Sequence, residues 1–180
     1  VQAELEAEIV AEIEALVGTS AVDGWDFEAI ETAVRRKALR VAARAVERRI
    51  NADTSDHAGP DAACACGLPA RYAGRHDKTF ESVLGALTLS RAYYYCQSCE
   101  AGFCPRDQAL GLQGGSLSPG VLRMVGQVGA MVSFEEGHEL LDDLAGVDVP
   151  IKHVERAAEA LGREVAEDER RVVDPQPPDP

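Results

Sequence analysis

Four of the five cysteines in this chain occur as two close pairs, and this spacing constrains the fold more than any other feature. Cys64 and Cys66 lie in the sequence CACG, Cys96 and Cys99 lie in CQSC, and 29 residues separate the two pairs. Two close thiol pairs at the ends of a β-hairpin supply the four tetrahedral ligands of a zinc ribbon. Gly67 permits the backbone angles that such a turn needs. The spacing therefore predicts a structural Zn²⁺ bound by Cys64, Cys66, Cys96 and Cys99.

Other roles for these thiols fit the sequence less well. A cytoplasmic location disfavours a disulfide, and a redox Cys-x-x-Cys motif needs a thioredoxin-like βαβ context that is absent. Four unrelated core cysteines would not be expected as two close pairs. The fifth cysteine, Cys104, stands between Phe103 and Pro105 and is predicted to be a small buried side chain outside the site. A register in which Cys104 replaces one of the four ligands stays open as an alternative.

The residues between the two pairs have the pattern of a β-hairpin. In TFESVLGALTLSRAYYY, odd-numbered and even-numbered positions form two alternating faces along the predicted strand 87–95. Gly85 and Ala86 are predicted as a two-residue turn that joins this strand to an earlier one at 79–84. His76 is then expected in the loop before the hairpin.

Two amphipathic helices are predicted before the ribbon. Residues 3–17 repeat apolar side chains at spacings of three and four among glutamates, and a turn at 18–26 separates them from a second helix at about 27–50. The predicted inner face of that second helix consists of Phe27, Ile30, Val34, Val41, Ala45 and Ile50. These helices form a predicted hairpin, and a polar segment without periodicity at 51–63 is predicted to be a linker or exposed loop.

Three more helices are predicted after the ribbon. Ser118 caps the first, Ser133 and Glu136 have the capping-box spacing at the start of the second, and Gly146 ends the second. The third begins after Pro150. Short capped joints of this kind match a helix-turn-helix, and an ordinary three-helix bundle fits the spacing equally well.

These patterns predict an α+β chain that is mostly α. The predicted order is a helical hairpin at 1–50, a linker at 51–63, a zinc ribbon at 64–107, a helix-turn-helix-like domain at 108–170 and a disordered tail at 171–180. No run of about 18 apolar residues could cross a bilayer, and the N-terminal segment lacks the pattern of a secretory signal. We therefore expect a cytoplasmic protein without a membrane segment.

Charge is distributed unevenly along the chain. The net charge of −13 has the wrong sign for binding nucleic acid through the overall field. Residues 1–33 carry nine acidic and no basic side chains, whereas residues 35–49 carry seven Arg or Lys against the single Glu47. Any basic surface must therefore come from the 35–49 helix and the segment after it. No catalytic constellation or phosphate-binding loop is found, so neither enzyme activity nor a small-molecule substrate is expected.

The order of these motifs resembles the N-terminal region of ISKra-family insertion-sequence transposases over about residues 60–166. The shared blocks are the Cys-x-Cys-Gly turn, a Gly-Arg pair, RAYY leading into Cys-x-x-Cys, a Gly-x-x-Pro-x-Asp turn, and the FEE and VER…ALG helices. The resemblance implies that the four cysteines match the family's zinc ligands and that the following helices belong to its DNA-recognition region. The family's RNase H-like catalytic domain would follow the helix that ends near Val165, so a fragment without catalytic activity is implied.

The expected function is therefore recognition of double-stranded DNA at transposon ends. Phosphate contacts are expected from Arg35, Arg36, Lys37, Arg40 and Arg44, and base-edge contacts from Lys152, His153 and Arg156. The alternative is a protein-interaction or regulatory module that pairs with full-length transposase or self-associates. In that alternative the acidic N-terminal helix covers the basic helix and masks its charges.

Overall fold

The computed structural model describes residues 7, 9–11, 13–15, 26–112 and 115–173. Helix α1 spans Phe27–Ala52, and strands β1 to β4 span Asp61–Ala63, Pro69–Ser82, Gly85–Cys96 and Ala101–Phe103. Helices α2 to α5 span Pro105–Ala109, Pro119–Gly129, Phe134–Leu140 and Ile151–Val173, and a π-helical turn at Leu141–Ala145 follows α4. The protein is of mixed α+β class, as predicted, and its described strands form one four-stranded antiparallel sheet.

The described residues divide into two compact units. The first contains those up to Phe80 and those of Leu84–Ser116, and the second contains Glu81–Val83 and those from Leu117 onward. Part of the predicted N-terminal hairpin lies outside the described residues. Residues 7, 9–11 and 13–15 of its first helix are described, and they are helical. Residues 174–180 of the predicted tail also lie outside the described residues. The second predicted helix is confirmed as α1, which ends two residues later than expected.

The sheet of the first unit is a meander in the order β1-β2-β3-β4. β1 pairs with β2, where Ala63 lies opposite Pro69, and β3 pairs with β4, where Cys96 lies opposite Ala101. Because β2 runs away from the β1–β2 turn and β3 returns antiparallel to it, the β3–β4 turn lies at the same end of the sheet. The two cysteine pairs occupy these two turns.

The strand β2 is longer than the sequence pattern predicts. It begins at Pro69, ten residues before the predicted start, and His76 therefore lies in a strand rather than in a loop. Most of the side chains from Pro69 to Lys78 are exposed, so apolar alternation is weak there. Gly74 adds a positive φ of 105°, which interrupts a regular strand pattern.

The turn of the central hairpin also differs from its prediction. β2 ends at Ser82 and β3 begins at Gly85, so the connecting residues are Val83 and Leu84 rather than Gly85 and Ala86. Gly85 has a φ of +106° and is the first residue of β3. The sequence correctly indicates that Gly85 takes part in the turn, but its positive φ occurs at the first residue of β3, just after the two connecting residues.

Helix α1 contacts the sheet by a different face from the predicted one. Ala43 is its buried residue and lies in a core with Leu87 and Leu89 of β3. Phe27 is 72% exposed and Val34 is 42% exposed, so these two residues of the predicted inner face do not face a core. Ile50 of the predicted inner face does pack against this core, and polar side chains of α1 supply further contacts with the sheet.

Two of these polar side chains cover the outer edge of β3. The backbone N–H of Thr88 donates to Oε2 of Glu47 at 2.6 Å, and the backbone N–H of Ser90 donates to Oδ1 of Asn51 at 2.9 Å. Nδ2 of Asn51 in turn donates to the carbonyl oxygen of Thr88 at 2.9 Å. An open strand edge carries unpaired backbone groups, and here the last turns of a helix satisfy them.

Asp56 continues the same cover in the segment predicted as a linker. Its Oδ2 accepts from the backbone N–H of Ala92 at 2.8 Å. Its Oδ1 lies 3.0 Å from Nη1 of Arg75 and 3.2 Å from Nη2 of Arg106, and its side chain is only 3% exposed. This segment is therefore tied into the first unit by a buried ionic network.

The second unit contains the capped helices that the sequence predicts. The hydroxyl of Ser118 accepts from the backbone N–H of Val121, and Ser133 and Glu136 form both hydrogen bonds of the capping box. Gly146 ends the π-helical turn with a φ of +66°. The buried core of the unit consists of Leu117, Val121, Val125, Leu141, Val147, Val149 and Val154. The helix-turn-helix arrangement itself stays a prediction.

Candidate metal centre

The first thiol turn joins β1 to β2. The backbone N–H of Gly67 donates to the carbonyl oxygen of Cys64 at 2.9 Å, and the N–H of Cys64 donates to the carbonyl of Leu68 at 3.1 Å. Gly67 has a φ of +83°, as its position in the motif led us to expect. These bonds fix the backbone that carries both thiols of the pair.

The second thiol turn joins β3 to β4. Cys96 is the last residue of β3 and is fully buried, whereas Cys99 is exposed within the turn. Among the described residues, Glu100 is the non-glycine residue with a positive φ, at 54°. This conformation costs an ordinary side chain about 1–2 kcal/mol, so the surrounding turn is closely constrained.

The two turns bring four sulfur atoms together. The Sγ atoms of Cys64 and Cys99 are 3.5 Å apart, and those of Cys66 and Cys96 are 3.7 Å apart. All four Sγ atoms lie within 4.8 Å of one another. A tetrahedron of thiolates around Zn²⁺, with Zn–S distances of about 2.3 Å, has edges of about 3.8 Å. The separations therefore fit a four-thiolate metal site and are too long for disulfides.

The thiols influence one another's ionisation. The backbone N–H of Cys99, followed by that of Ser98, lowers the pKa of Cys96 to about 6. The backbone N–H of Ala101 acts to lower the pKa of Cys99, but the neighbouring thiols outweigh it and raise that pKa to about 12. Several negative sulfurs at this distance repel one another unless a cation lies between them. The cluster is therefore suited to bind a metal ion.

The fifth cysteine lies outside this cluster. Cys104 is 8% exposed and precedes α2, and burial raises the pKa of its thiol. Asp107, three residues after Cys104, accepts a hydrogen bond from the Arg91 guanidinium. Cys104 is thus a buried side chain, and the four-sulfur cluster of the described residues forms without it.

Aromatic side chains support the sheet beneath the site. Tyr94 is fully buried; its hydroxyl accepts from the backbone N–H of Ala58 at 2.8 Å and donates to the carbonyl of Gly59 at 3.1 Å. Its ring lies 5.6 Å from that of Tyr72 and 5.8 Å from that of Phe103. Sequence reasoning placed Tyr94 on a strand face but did not find its hydrogen bonds, because their partners lie about 35 residues earlier in the chain.

A second aromatic contact is made by Tyr93, which lies on the opposite face of β3 from Tyr94. The ring of His76 stacks on that of Tyr93, with centroids 4.3 Å apart and planes 13° apart. A Cβ atom on Gly102 would lie 1.9 Å from the Tyr93 hydroxyl oxygen. A residue without a side chain is therefore required at position 102 of β4 while Tyr93 keeps this place.

The four histidines lie outside the metal cluster of the described residues. The ring of His57 contacts that of Tyr72 edge-on, with centroids 4.5 Å apart. Nδ1 of His138 lies 2.9 Å from the carbonyl oxygen of Val149 and is hydrogen-bonded to it. His153 is exposed near the start of α5.

The predicted DNA-contacting residues occupy two separate elements. Arg35, Arg36, Lys37 and Arg40 are exposed on α1 in the first unit, and Arg44 is half-buried there. Lys152, His153 and Arg156 are exposed on the first two turns of α5 in the second unit. Each set thus lies on a single helix.

Comparisons with protein-family models, with curated proteins and with solved structures return no match. Within the part of the chain that the structure describes, none of the helices has the length and hydropathy needed to span a membrane. The metal centre therefore rests on its own geometry.

Proposed function

We propose that this protein is a zinc-ribbon protein that binds double-stranded DNA at transposon ends. The observation that carries the zinc assignment is the four-sulfur cluster formed by two turns that are distant in sequence. A set of four thiolates is soft, which favours Zn²⁺ or iron over hard cations, and a closed tetrahedral site is typical of structural zinc. The bound ion would hold the β1–β2 turn to the β3–β4 turn.

Metal analysis of the purified chain tests this assignment. We expect one zinc per chain, and loss of zinc in the variants Cys66→Ser and Cys99→Ser. Cys104→Ser is the matched control, because it removes a thiol next to β4 that lies outside the cluster, and it should keep the full zinc content. A zinc content near zero in the wild-type chain, or equal loss in the control, would contradict the assignment.

The DNA-binding part of the proposal is supported by the second unit. Lys152, His153 and Arg156 are exposed together on the first two turns of α5, and a short joint that begins at Gly146 connects the π-helical turn to α5. A recognition helix contacts base edges with its N-terminal residues, so this is where such side chains are needed. The resemblance of residues 60–166 to the N-terminal region of ISKra-family transposases supports transposon ends as the target.

Salt dependence of DNA binding tests this part. If three to five phosphates are neutralised, log K falls against log salt with a slope of roughly −3 to −5. The double variant Lys152→Ala/Arg156→Ala should weaken binding to terminal-repeat DNA by roughly 1–3 kcal/mol per lost base contact. Arg163→Ala is the matched control, since Arg163 is exposed farther along the same helix. DNA affinity that does not change with salt concentration, or an equal loss of affinity in Arg163→Ala, would exclude this mode of DNA binding.

A further inference from the structure

Helix α1 carries an apolar stripe on the side that faces away from the sheet. At 100° per residue, Phe27, Ile30, Val34, Val41 and Ala45 all lie within about 40° of the direction opposite to the buried Ala43. We call these five residues the outer stripe. Phe27 is 72% exposed and Val34 is 42% exposed, and Ile30 and Val41 are half-buried. A stripe about 27 Å long is thus open over much of its length.

Basic side chains flank the outer stripe on both sides. The same helical geometry places Lys37, Arg44 and Arg48 along one border and Arg35 and Arg49 along the other. Two acids lie near these borders: Glu31 falls on the same border as Arg35 and Arg49, and Glu47 lies on the sheet-facing side, where its carboxylate accepts from the N–H of Thr88. The outer stripe therefore has one basic border, formed by Lys37, Arg44 and Arg48, and one border of mixed charge.

The chain itself contains a segment with the complementary pattern. Residues 3–17 repeat apolar side chains at spacings of three and four, and all of their charged side chains are glutamates. An amphipathic helix with glutamate borders fits an apolar stripe with arginine and lysine borders, as in helices paired through a hydrophobic seam and flanking ion pairs. The apolar spacing and the negative charge of residues 3–17 thus match the outer stripe and its basic border.

Exposure within one chain indicates which copy of the segment covers the stripe. Val10 is 50% exposed and Ile13 is 45% exposed in the same chain in which Phe27 and Val34 are exposed. At these positions both surfaces are open to solvent in a single copy, whereas Ile9 of the segment and Ile30 and Val41 of the outer stripe are half-buried. We propose that two copies associate reciprocally, so that residues 3–17 of each chain cover the outer stripe of its partner.

This arrangement is a two-fold symmetric exchange. Each contact occurs twice, because the acidic segment of the first chain meets the basic helix of the second and the reverse also holds. The proposal does not depend on DNA binding or on the metal. DNA affinity is not used to test it, because Lys37 and Arg44 are also among the residues proposed to contact phosphates.

A charge-exchange experiment on the full chain tests the proposal. One variant carries Glu6→Lys, Glu8→Lys and Glu12→Lys, and the other carries Lys37→Glu, Arg44→Glu and Arg48→Glu. Analytical ultracentrifugation at low salt should show a wild-type dimer and, for each variant alone, a dimer dissociation constant weakened by at least about tenfold. An equimolar mixture of the two variants should recover the dimer, because both of its contacts pair opposite charges.

Each outcome of this experiment decides the proposal. A monomeric wild-type chain, variants that dimerise like the wild type, or a mixture that stays monomeric overturns it; the last result would favour packing of the segment on its own chain. Val34→Glu should also weaken the wild-type dimer by at least about tenfold. Met131→Glu is the matched control, since Met131 is 83% exposed in the second unit, and it should leave the dimer unchanged. An unchanged near-ultraviolet circular dichroism signal of the four tyrosines, all of which lie in β2 and β3, shows that the first unit of each variant is folded.

Discussion

The two halves of the outer edge of β3 are protected in different ways. From Thr88 to Ala92 the backbone groups bond to the side chains of Glu47, Asn51 and Asp56. From Tyr94 to Cys96 they pair with the backbone of β4. Protection by side chains depends on the identity of a few residues. Protection by a paired strand tolerates many sequences, but that strand must itself be held in place.

The strand that provides the backbone cover is too short to hold itself. β4 has three residues, and an isolated pair of such strands is not stable in water. The turn before it carries Cys99, so a metal bound by the four thiols would fix β4 at its first residues. We therefore expect the β4 half of the edge to depend on the metal and the α1 half to depend on buried polar contacts.

Removal of the metal should have the largest effect. Structural zinc contributes roughly 10 kcal/mol or more to the folding of small domains, so Cys99→Ser or a chelator should unfold the thiol end of the sheet. All four tyrosines lie in β2 and β3 of the first unit, so near-ultraviolet circular dichroism of tyrosine reports on this region. Cys104→Ser should keep the tyrosine signal. A chelated chain with the wild-type spectrum would contradict the role given to the metal.

Substitution of Asp56 should have the next largest effect, at the other half of the edge. Asp56→Ala leaves the Ala92 N–H without its acceptor and removes the buried carboxylate from Arg106, which keeps the carbonyl oxygens of Ile50 and Asp53. Breaking a buried ion pair in this way destabilises by about 3–5 kcal/mol. Urea unfolding followed by the tyrosine signal measures this loss. Asp77→Ala, at an exposed position of β2, is the control and should change the free energy of unfolding by less than about 0.5 kcal/mol.

Substitution of Asn51 tests the same cover with a smaller change. Asn51→Ala removes the acceptor of the Ser90 N–H and the donor to the Thr88 carbonyl. Because Ser90 is only partly buried, water can replace part of this cover, and we expect a loss of about 1–2 kcal/mol. Zinc content should stay unchanged. Loss of zinc in this variant would show that the two halves of the edge are not independent.

Lowering the pH should destabilise the half of the β3 edge that α1 and Asp56 protect, and this effect should be the smallest of the four. Burial acts to raise the pKa of Asp56, but the Ala92 N–H and the guanidinium groups of Arg75 and Arg106 outweigh it and hold the pKa below its ordinary value. A carboxylate with a depressed folded-state pKa stabilises fully above its unfolded pKa of about 3.9 and loses this contribution as pH falls through the folded value.

Urea unfolding at pH 7, 5 and 3 measures this dependence. The contribution of Asp56 to the wild-type free energy of unfolding should stay nearly constant between pH 7 and 5 and should fall toward pH 3. In Asp56→Ala the fall below pH 4 should be shallower. An equal slope in both chains would mean that other carboxylates account for the acid sensitivity.

Local signals predicted the parts of the fold that are set by local chemistry. The caps at Ser118 and Ser133, the end at Gly146 and the extent of α1 follow from contacts within a few residues, and the structure has them where they are expected. The four thiols were also predictable, because two close cysteine pairs separated by a hairpin are a typical ligand spacing of structural zinc sites.

Contacts between distant residues account for what the sequence did not reveal. The face of α1 that meets the sheet is set by Glu47 and Asn51, whose partners lie about 40 residues later. Asp56 looked like part of a polar linker because nothing in its neighbourhood shows that Arg75 and Arg106 will reach it. A buried polar network and a solvated loop have the same local composition, so periodicity cannot separate them.

The contact between Tyr93, His76 and Gly102 gives the protein an internal spectroscopic reporter. The imidazole protons of His76 lie over the Tyr93 ring, so the ring current should shift their nuclear magnetic resonance lines upfield. The Tyr93 hydroxyl lies against Gly102 of β4, so undocking of this strand would remove one of the contacts of the ring. The resonances of one histidine in β2 should therefore reveal, without any label, whether the last strand of the meander is docked.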